Sequence, residues 1–141
     1  VVVLENVAAI TFLGGPRIVA GLTSLGYDLR WGVVRASDAG APHHRARWFC
    51  VATHPDRPTG PKRDQRAPTR LEPPLGDHTP GHPPTAIRRG NRVAPQMVEH
   101  MMGLPPGFVT DHDLSYTAAM RILGNGVCPQ QAALALTLLD D

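Results

Sequence analysis

Lysine is almost missing from this chain, with Lys62 the only one in 141 residues. Positive charge therefore falls on arginine, whose planar fork suits phosphates and guanine edges. A GC-rich genome produces the same bias, so the preference alone carries no function. Aromatic residues are also scarce, at 5%. Any core must then be mostly aliphatic. Cysteine appears twice, as Cys50 and Cys128, with no pairing pattern. That excludes a disulfide framework and fits a reducing compartment. Neither cysteine has the electropositive turn that a nucleophilic thiol needs, and both read as small apolar fillers. No signal peptide and no apolar run long enough to span a bilayer stands out, so a soluble, cytoplasmic chain is expected. The seven histidines are scattered, without cysteine partners or a helical His-x-x-x-His pair. A zinc site needs a tighter constellation, so no metal is expected.

Proline, by contrast, is abundant, with 15 residues, most of them in one stretch. The length suits one modest domain or a piece of a larger one. Net charge is only +2, but its distribution is uneven. Between His54 and Arg92 lie eight basic residues against four acidic ones. A local basic surface suits a polyanion such as DNA, and a solvated loop has the same composition.

Val1 to Leu4 is a continuous apolar run and predicts a buried strand, as in a parallel sheet. A buried central strand opening the chain implies that more sheet stands upstream. Pro16 to Leu25 predicts a helix closed by Gly26, with Ile18, Val19, Leu22 and Leu25 on one face. Tyr27 to Arg35 and Arg47 to Thr53 predict two strands. The short breaker-rich loop between them, Ser37 to His44, suggests an antiparallel pair. From His54 to Gly90 no apolar period survives, which predicts a long irregular insert. Pro95 to Met102 predicts a helix stopped by Gly103. Leu114 to Leu123 reads either as a short helix or as an irregular segment. Pro129 opens a last helix whose stripe is Ala132, Ala135, Leu136 and Leu139.

Three groups of residues could carry chemistry. Glu5 stands at the carboxyl end of the first strand, where ligands bind in open α/β sheets. Burial there favours a proton-donating carboxyl. An ordinary strand-end pairing with an arginine also explains it. Arg45 and Arg47 alternate onto one face, where two guanidiniums repel unless an anion sits between them. A pair of surface arginines on an edge strand is the plainer account. Gly124-Asn125-Gly126 precedes a helix, a setting suited to a small anionic group. A loop turn with an ordinary cap has the same pattern.

Four segments stand in a telling order. They are Glu5-Asn6-Val7, Gly40-Ala41-Pro42-His43-His44-Arg45-Ala46-Arg47, the Val98 to Pro105 stretch, and Arg121 to Pro129 around Gly124-Asn125-Gly126. Together they resemble the Glu-Asn-Val, Gly-x-Pro-Gln-x-Arg-x-Arg, Gly-Phe-Pro and Gly-Asn motifs of the DNA cytosine-5 methyltransferases. The Ala-Pro-His and Met-Met-Gly wording is similar to bacteriophage and actinobacterial members. The resemblance implies an α/β fold, the C-terminal portion of a Rossmann-like methyltransferase with a short irregular insert. It divides the chain into part of a catalytic sheet (1–53), a target-recognition-like insert (54–91) and a returning segment (92–141). It implies S-adenosylmethionine as methyl donor and double-stranded DNA as partner, with no membrane. Glu5 and Arg47 would hold a flipped cytosine, and Arg45 would support the catalytic loop or a phosphate. Asn125, Gly124 and Gly126 would line the cofactor. Arg63, Arg66, Arg70, Arg88 and Arg89 would meet DNA. His43 replaces the family's glutamine.

Two family features are missing from these residues: the Pro-Cys-Gln nucleophile and the Gly-rich cofactor motif, both of which precede the Glu-Asn-Val strand. Two readings follow. One is a methyltransferase part whose N-terminal half is a separate polypeptide or is lost. The other is an inactive remnant or a small basic DNA-binding module.

Overall fold

The computed structural model describes residues 1–56, 88–90 and 92–140. The candidate DNA contacts Arg63, Arg66 and Arg70 lie outside the described residues. Arg88 and Arg89 enter as the backbone of a short strand.

Three strands form one sheet: β1 (Val2–Val7), β2 (Asp28–Arg35) and β3 (Ala46–Thr53). Their order is β1-β3-β2, and β3 runs antiparallel to both neighbours. β1 and β2 therefore run parallel to each other, joined through the helices α1 (Ile10–Leu13) and α2 (Gly15–Ser24). The mixed strand-helix-strand connection is that of an α/β fold. α2 has Pro16 in its first turn, as the sequence suggested. The four-residue α1 was not expected, and its Phe12 and Leu13 are exposed.

β3 is the central strand, and its composition says why. Trp48, Phe49, Cys50 and Ala52 are all buried, on both faces. β1 corrects the expectation of a strand buried in a parallel sheet. It pairs antiparallel and, among the described residues, only on its β3 side. Val1 and Val3 stay 66% and 52% exposed. The physical reason is position. The helix α5 (Pro129–Leu139) packs on β2 and β3, and β1 lies on the far side of β3 from β2.

The β2–β3 connection is a tight, self-bonded turn. Ala36–Ala39 forms a 3-10 turn, with the Arg35 N–H donating to Asp38 Oδ2 at 2.9 Å. Gly40, at φ 87°, closes it in a backbone conformation that glycine adopts without strain. The expected antiparallel hairpin is what forms.

α5 lays Ala135 against Val34 and Phe49, with Ala132, Leu134 and Leu139 around them. Its buried line is Gln131 and Ala135 rather than the expected stripe through Leu136, which is 40% exposed. A second cluster joins Val109, Ala119 and Leu123 to Val98 and Leu104. It packs α3 (Pro95–Met101) against α4 (Tyr116–Asn125). α4 is a true helix because Ser115 caps it, its hydroxyl accepting from the Ala118 N–H at 3.2 Å. The strands β4 (Arg88–Arg89) and β5 (Arg92–Val93) form a two-residue ladder that the sequence did not announce. Tyr116–Leu139 is apolar enough by length and composition to cross a membrane. It is nevertheless two helices, broken between Asn125 and Pro129, and the second packs on the sheet.

Glu99 is the most constrained polar group in this half. It is 2% exposed, although the α3 pattern placed it on no apolar face. Its two carboxyl oxygens accept from the Gly107, Val109 and Thr110 N–H groups and from the Thr110 hydroxyl, at 2.6 to 3.1 Å. The side chain thus replaces a ladder for a loop that has none. Glu99→Ala strands three amides and a hydroxyl, and each buried unpaired group costs about 1–3 kcal/mol. Urea denaturation should show a loss of at least ~2 kcal/mol, while Gln96→Ala, exposed on the same helix, should cost less than ~0.5 kcal/mol.

Candidate active site

The register of β1 on β3 places Glu5 opposite Phe49 and Arg47 opposite Val7. Opposite residues share a face, so Glu5 and Arg47 are diagonal neighbours, within reach of long side chains. Arg47 Nε lies 3.0 Å from Glu5 Oε1, with the side chains 17% and 25% exposed. Arg47 Nη1 also donates to the Ala46 carbonyl at 3.0 Å. The ion pair is partly desolvated, so salt screens it less than an exposed pair. Among the described residues, the other Glu5 oxygen and the second terminal nitrogen of Arg47 take no hydrogen bond, which leaves them for a further partner. The strand-end pairing with an arginine is present, and its partner is Arg47, the residue that the family resemblance set beside Glu5.

Arg45 behaves differently from the expectation that both arginines would share one anion. It precedes β3, and its guanidinium turns to backbone carbonyls. Nη2 donates to the Gly124 carbonyl at 3.2 Å and to the Gly126 carbonyl, while Nη1 meets Met102 Sδ at 3.0 Å. Burial, and after it the charge of Arg47, hold Arg45 below its ordinary value, while Glu5 and Cys128 oppose the shift. Arg45 stays charged, as arginine does in proteins. Its contacts tie the hairpin to the C-terminal segment.

That finding also revises Gly124-Asn125-Gly126. Gly124 and Asn125 are the last two residues of α4, and Gly126 follows them as its cap. A helix C-terminus presents unpaired carbonyls and partial negative charge. It attracts a guanidinium, not the anionic group that the sequence suggested. The pattern was ambiguous because the segment both closes α4 and precedes α5.

His43 adds a third tie. Its Nε2 lies 2.8 Å from the Met101 carbonyl and donates to it. Residues 43, 45 and 47 thus reach α3, α4 and β1 respectively. Two site residues escaped the sequence. Gln131 is fully buried, and its Nε2 donates to the Val34 and Arg45 carbonyls, both at 2.8 Å. Gln130 Nε2 donates to the Gly103 carbonyl at 3.1 Å. Gly103 has φ 68°, and a Cβ there would stand 2.5 Å from Gln130 Oε1. A glutamine inside an apolar helix line was the one available signal.

Cys50 and Cys128 are both buried free thiols, and burial pushes the Cys50 thiol up. Neither is placed to attack a substrate. Among the described residues, no three His, Cys, Asp or Glu side chains gather as metal ligands. Asn125 is exposed and the space beside Gly124 is open, so this edge could border a small molecule. It does not enclose one, and the carbonyls of Gly124 and Gly126 are taken by Arg45. A separate pocket, lined by Pro95, Thr110, His112, Tyr116 and neighbours, has a volume near 100 Å³. It holds a few waters, not S-adenosylmethionine.

Nothing among curated proteins or solved structures matches this chain. A family model does: that of the C-5 cytosine-specific DNA methylases, over residues 1–81. The match contains Arg45 and also Glu5 and Arg47, the two residues that the β1–β3 register brings together. It covers more than half of the 141 residues, and the chain belongs to the C-5 cytosine-specific DNA methylase family.

Proposed function

We propose that this chain is the cytosine-holding part of a DNA cytosine-5 methyltransferase. The Glu5–Arg47 pair, at 3.0 Å across β1 and β3, carries that reading. A flipped cytosine offers ring nitrogen 3 and the adjacent carbonyl oxygen side by side. Glu5 faces the nitrogen and Arg47 the oxygen, and their mutual bond fixes the angle between them. Attack of a thiolate on carbon 6 pushes charge onto this edge of the ring. A preorganised carboxyl and guanidinium stabilise it there. Carbon 5 then accepts the methyl group that S-adenosylmethionine supplies. Loss of the carbon 5 proton and departure of the thiol restore the ring.

The thiol comes from polypeptide outside these 141 residues. No Pro-Cys-Gln occurs in them, and Cys50 and Cys128 are both buried. A separate N-terminal half bearing the nucleophile and the Gly-rich cofactor motif is the partner that completes the site. Arg45 serves as a bridge between segments. Arg63, Arg66, Arg70, Arg88 and Arg89 supply phosphate contacts.

The chain alone should transfer no methyl group to DNA from labelled S-adenosylmethionine. Mixed with a family N-terminal half, it should gain activity, and Glu5→Gln should then lower kcat by about 10²–10³-fold, the scale for losing one preorganised polar contact. Methyl transfer by the chain alone, or full activity in the Glu5→Gln mixture, would refute these roles.

The basic segment gives a separate test. Each phosphate contact contributes about 0.9 to the slope of log affinity against log salt. Joint alanine substitution at Arg63, Arg66 and Arg70 should weaken duplex binding by the full chain and flatten that slope by roughly 2–3. An unchanged slope in fluorescence-anisotropy titrations means that the segment is a solvated loop. Salt-dependent binding with no methyl transfer beside a supplied N-terminal half favours the DNA-binding module instead.

A further inference from the structure

Gln131 stands in an unusual place for a glutamine. It is fully buried on the sheet-facing line of α5, one turn before Ala135. Its Nε2 donates to two carbonyls, Val34 on β2 and Arg45 just before β3, each at 2.8 Å. That pattern fixes the amide's orientation, since the reverse would aim Oε1 at two carbonyl oxygens. The Arg45 carbonyl also accepts from the Ala36 N–H at 3.0 Å, so both its acceptor positions are used. Two hydrogen bonds therefore pin the Arg45 backbone, one of them from a helix 86 residues away.

Two residues later the chain presents Arg47 to Glu5, and Arg47 Nη1 holds the intervening Ala46 carbonyl. The Arg45 guanidinium meanwhile grips the end of α4. Arg45 is thus a strut with a side-chain end on α4 and a backbone end on α5. Turning or shifting the strut moves Arg47 against Glu5. We propose that Gln131 is a positioning residue, which sets the Glu5–Arg47 pair by clamping the Arg45 carbonyl. This deepens the reading of Glu5 and Arg47 as the cytosine-facing pair, and rests on it for its catalytic meaning. The geometric claim can be measured without any methyl transfer.

The test is hydrogen exchange of the Arg47 Nε–H, followed by nitrogen-15 NMR on the full chain. In the wild type this proton, bonded to Glu5, should be protected. Gln131→Met keeps the volume and removes the donor, and should speed the exchange at least tenfold. Gln130→Ala breaks a different α5 bond, to Gly103, and should leave the exchange unchanged even if it lowers the melting temperature. Equal acceleration in both variants, or none in folded Gln131→Met, overturns the proposal. Should Gln131→Met fail to fold, wild-type exchange in low urea decides. The Gln131 side-chain amide and the Arg47 Nε–H should then open in one event, with the same urea dependence, and separate openings overturn the proposal. Failure here leaves the methyltransferase reading standing. An inactive mixture with protected Arg47 would fail that reading and not this one.

Discussion

A half-buried guanidinium has five N–H donors to satisfy and no way to shed its charge. Arg45 meets part of this demand with backbone carbonyls at the end of α4 and the sulfur of Met102, while its buried Nε–H has no partner among the described residues. That single requirement brings residue 45 together with residues 102, 124 and 126, which are remote in sequence. Breaking a partly buried charge off its partners is costly, so the arrangement resists drift. Once Arg45 is fixed, the hairpin segment has little freedom. His43 must reach α3, and Arg47 must face β1. The geometry of the Glu5–Arg47 pair follows from where its neighbour is held.

Glu99 solves the complementary problem with the same logic. A buried carboxyl is satisfied by the amides of a loop, and a half-buried guanidinium bonds the carbonyls of a helix end. In both cases a side chain of one sign meets backbone groups of the other. Apolar packing in this half is modest, resting on small clusters around Leu123 and Ala135. Polar side chains that bond to backbone supply the precision that those clusters lack. They also explain how a helix such as α5, mostly alanine and leucine, is held at one angle on the sheet. Gln130 and Gln131 point to different segments and fix it at two places.

Much of the local structure was legible. Pro16, Pro95 and Pro129 each mark the first turn of a helix, because proline's fixed φ and missing N–H suit that position. The β2–β3 hairpin followed from two apolar runs around a short breaker-rich loop. The family motif around Glu5, Arg45 and Arg47 was legible too. Burial was read less well. Val1 to Leu4 looked like a strand covered on both faces, yet it stands at the edge of the described sheet. Composition reports what a strand could bury, while coverage depends on which helix lands on it. Glu99 and Gln131 were missed for a related reason. Each looks like the polar side of an amphipathic helix until a distant loop or strand closes over it.

The residues themselves determined the chemistry available: a carboxyl at a strand end, two arginines two apart, and two cysteines outside any Pro-Cys-Gln. Propensity and periodicity are local, so they also determined most helices and strands. The tertiary structure alone decided that Arg45 leaves the Glu5–Arg47 pair for the end of α4. It turned Gly124 and Gly126 from an expected anion cradle into the acceptors of Arg45, because they close one helix as well as precede another. It also gave Gln131 its hold on the Arg45 carbonyl. Contacts across 27 to 86 residues depend on how sheet and helices pack, and no short-range pattern encodes them.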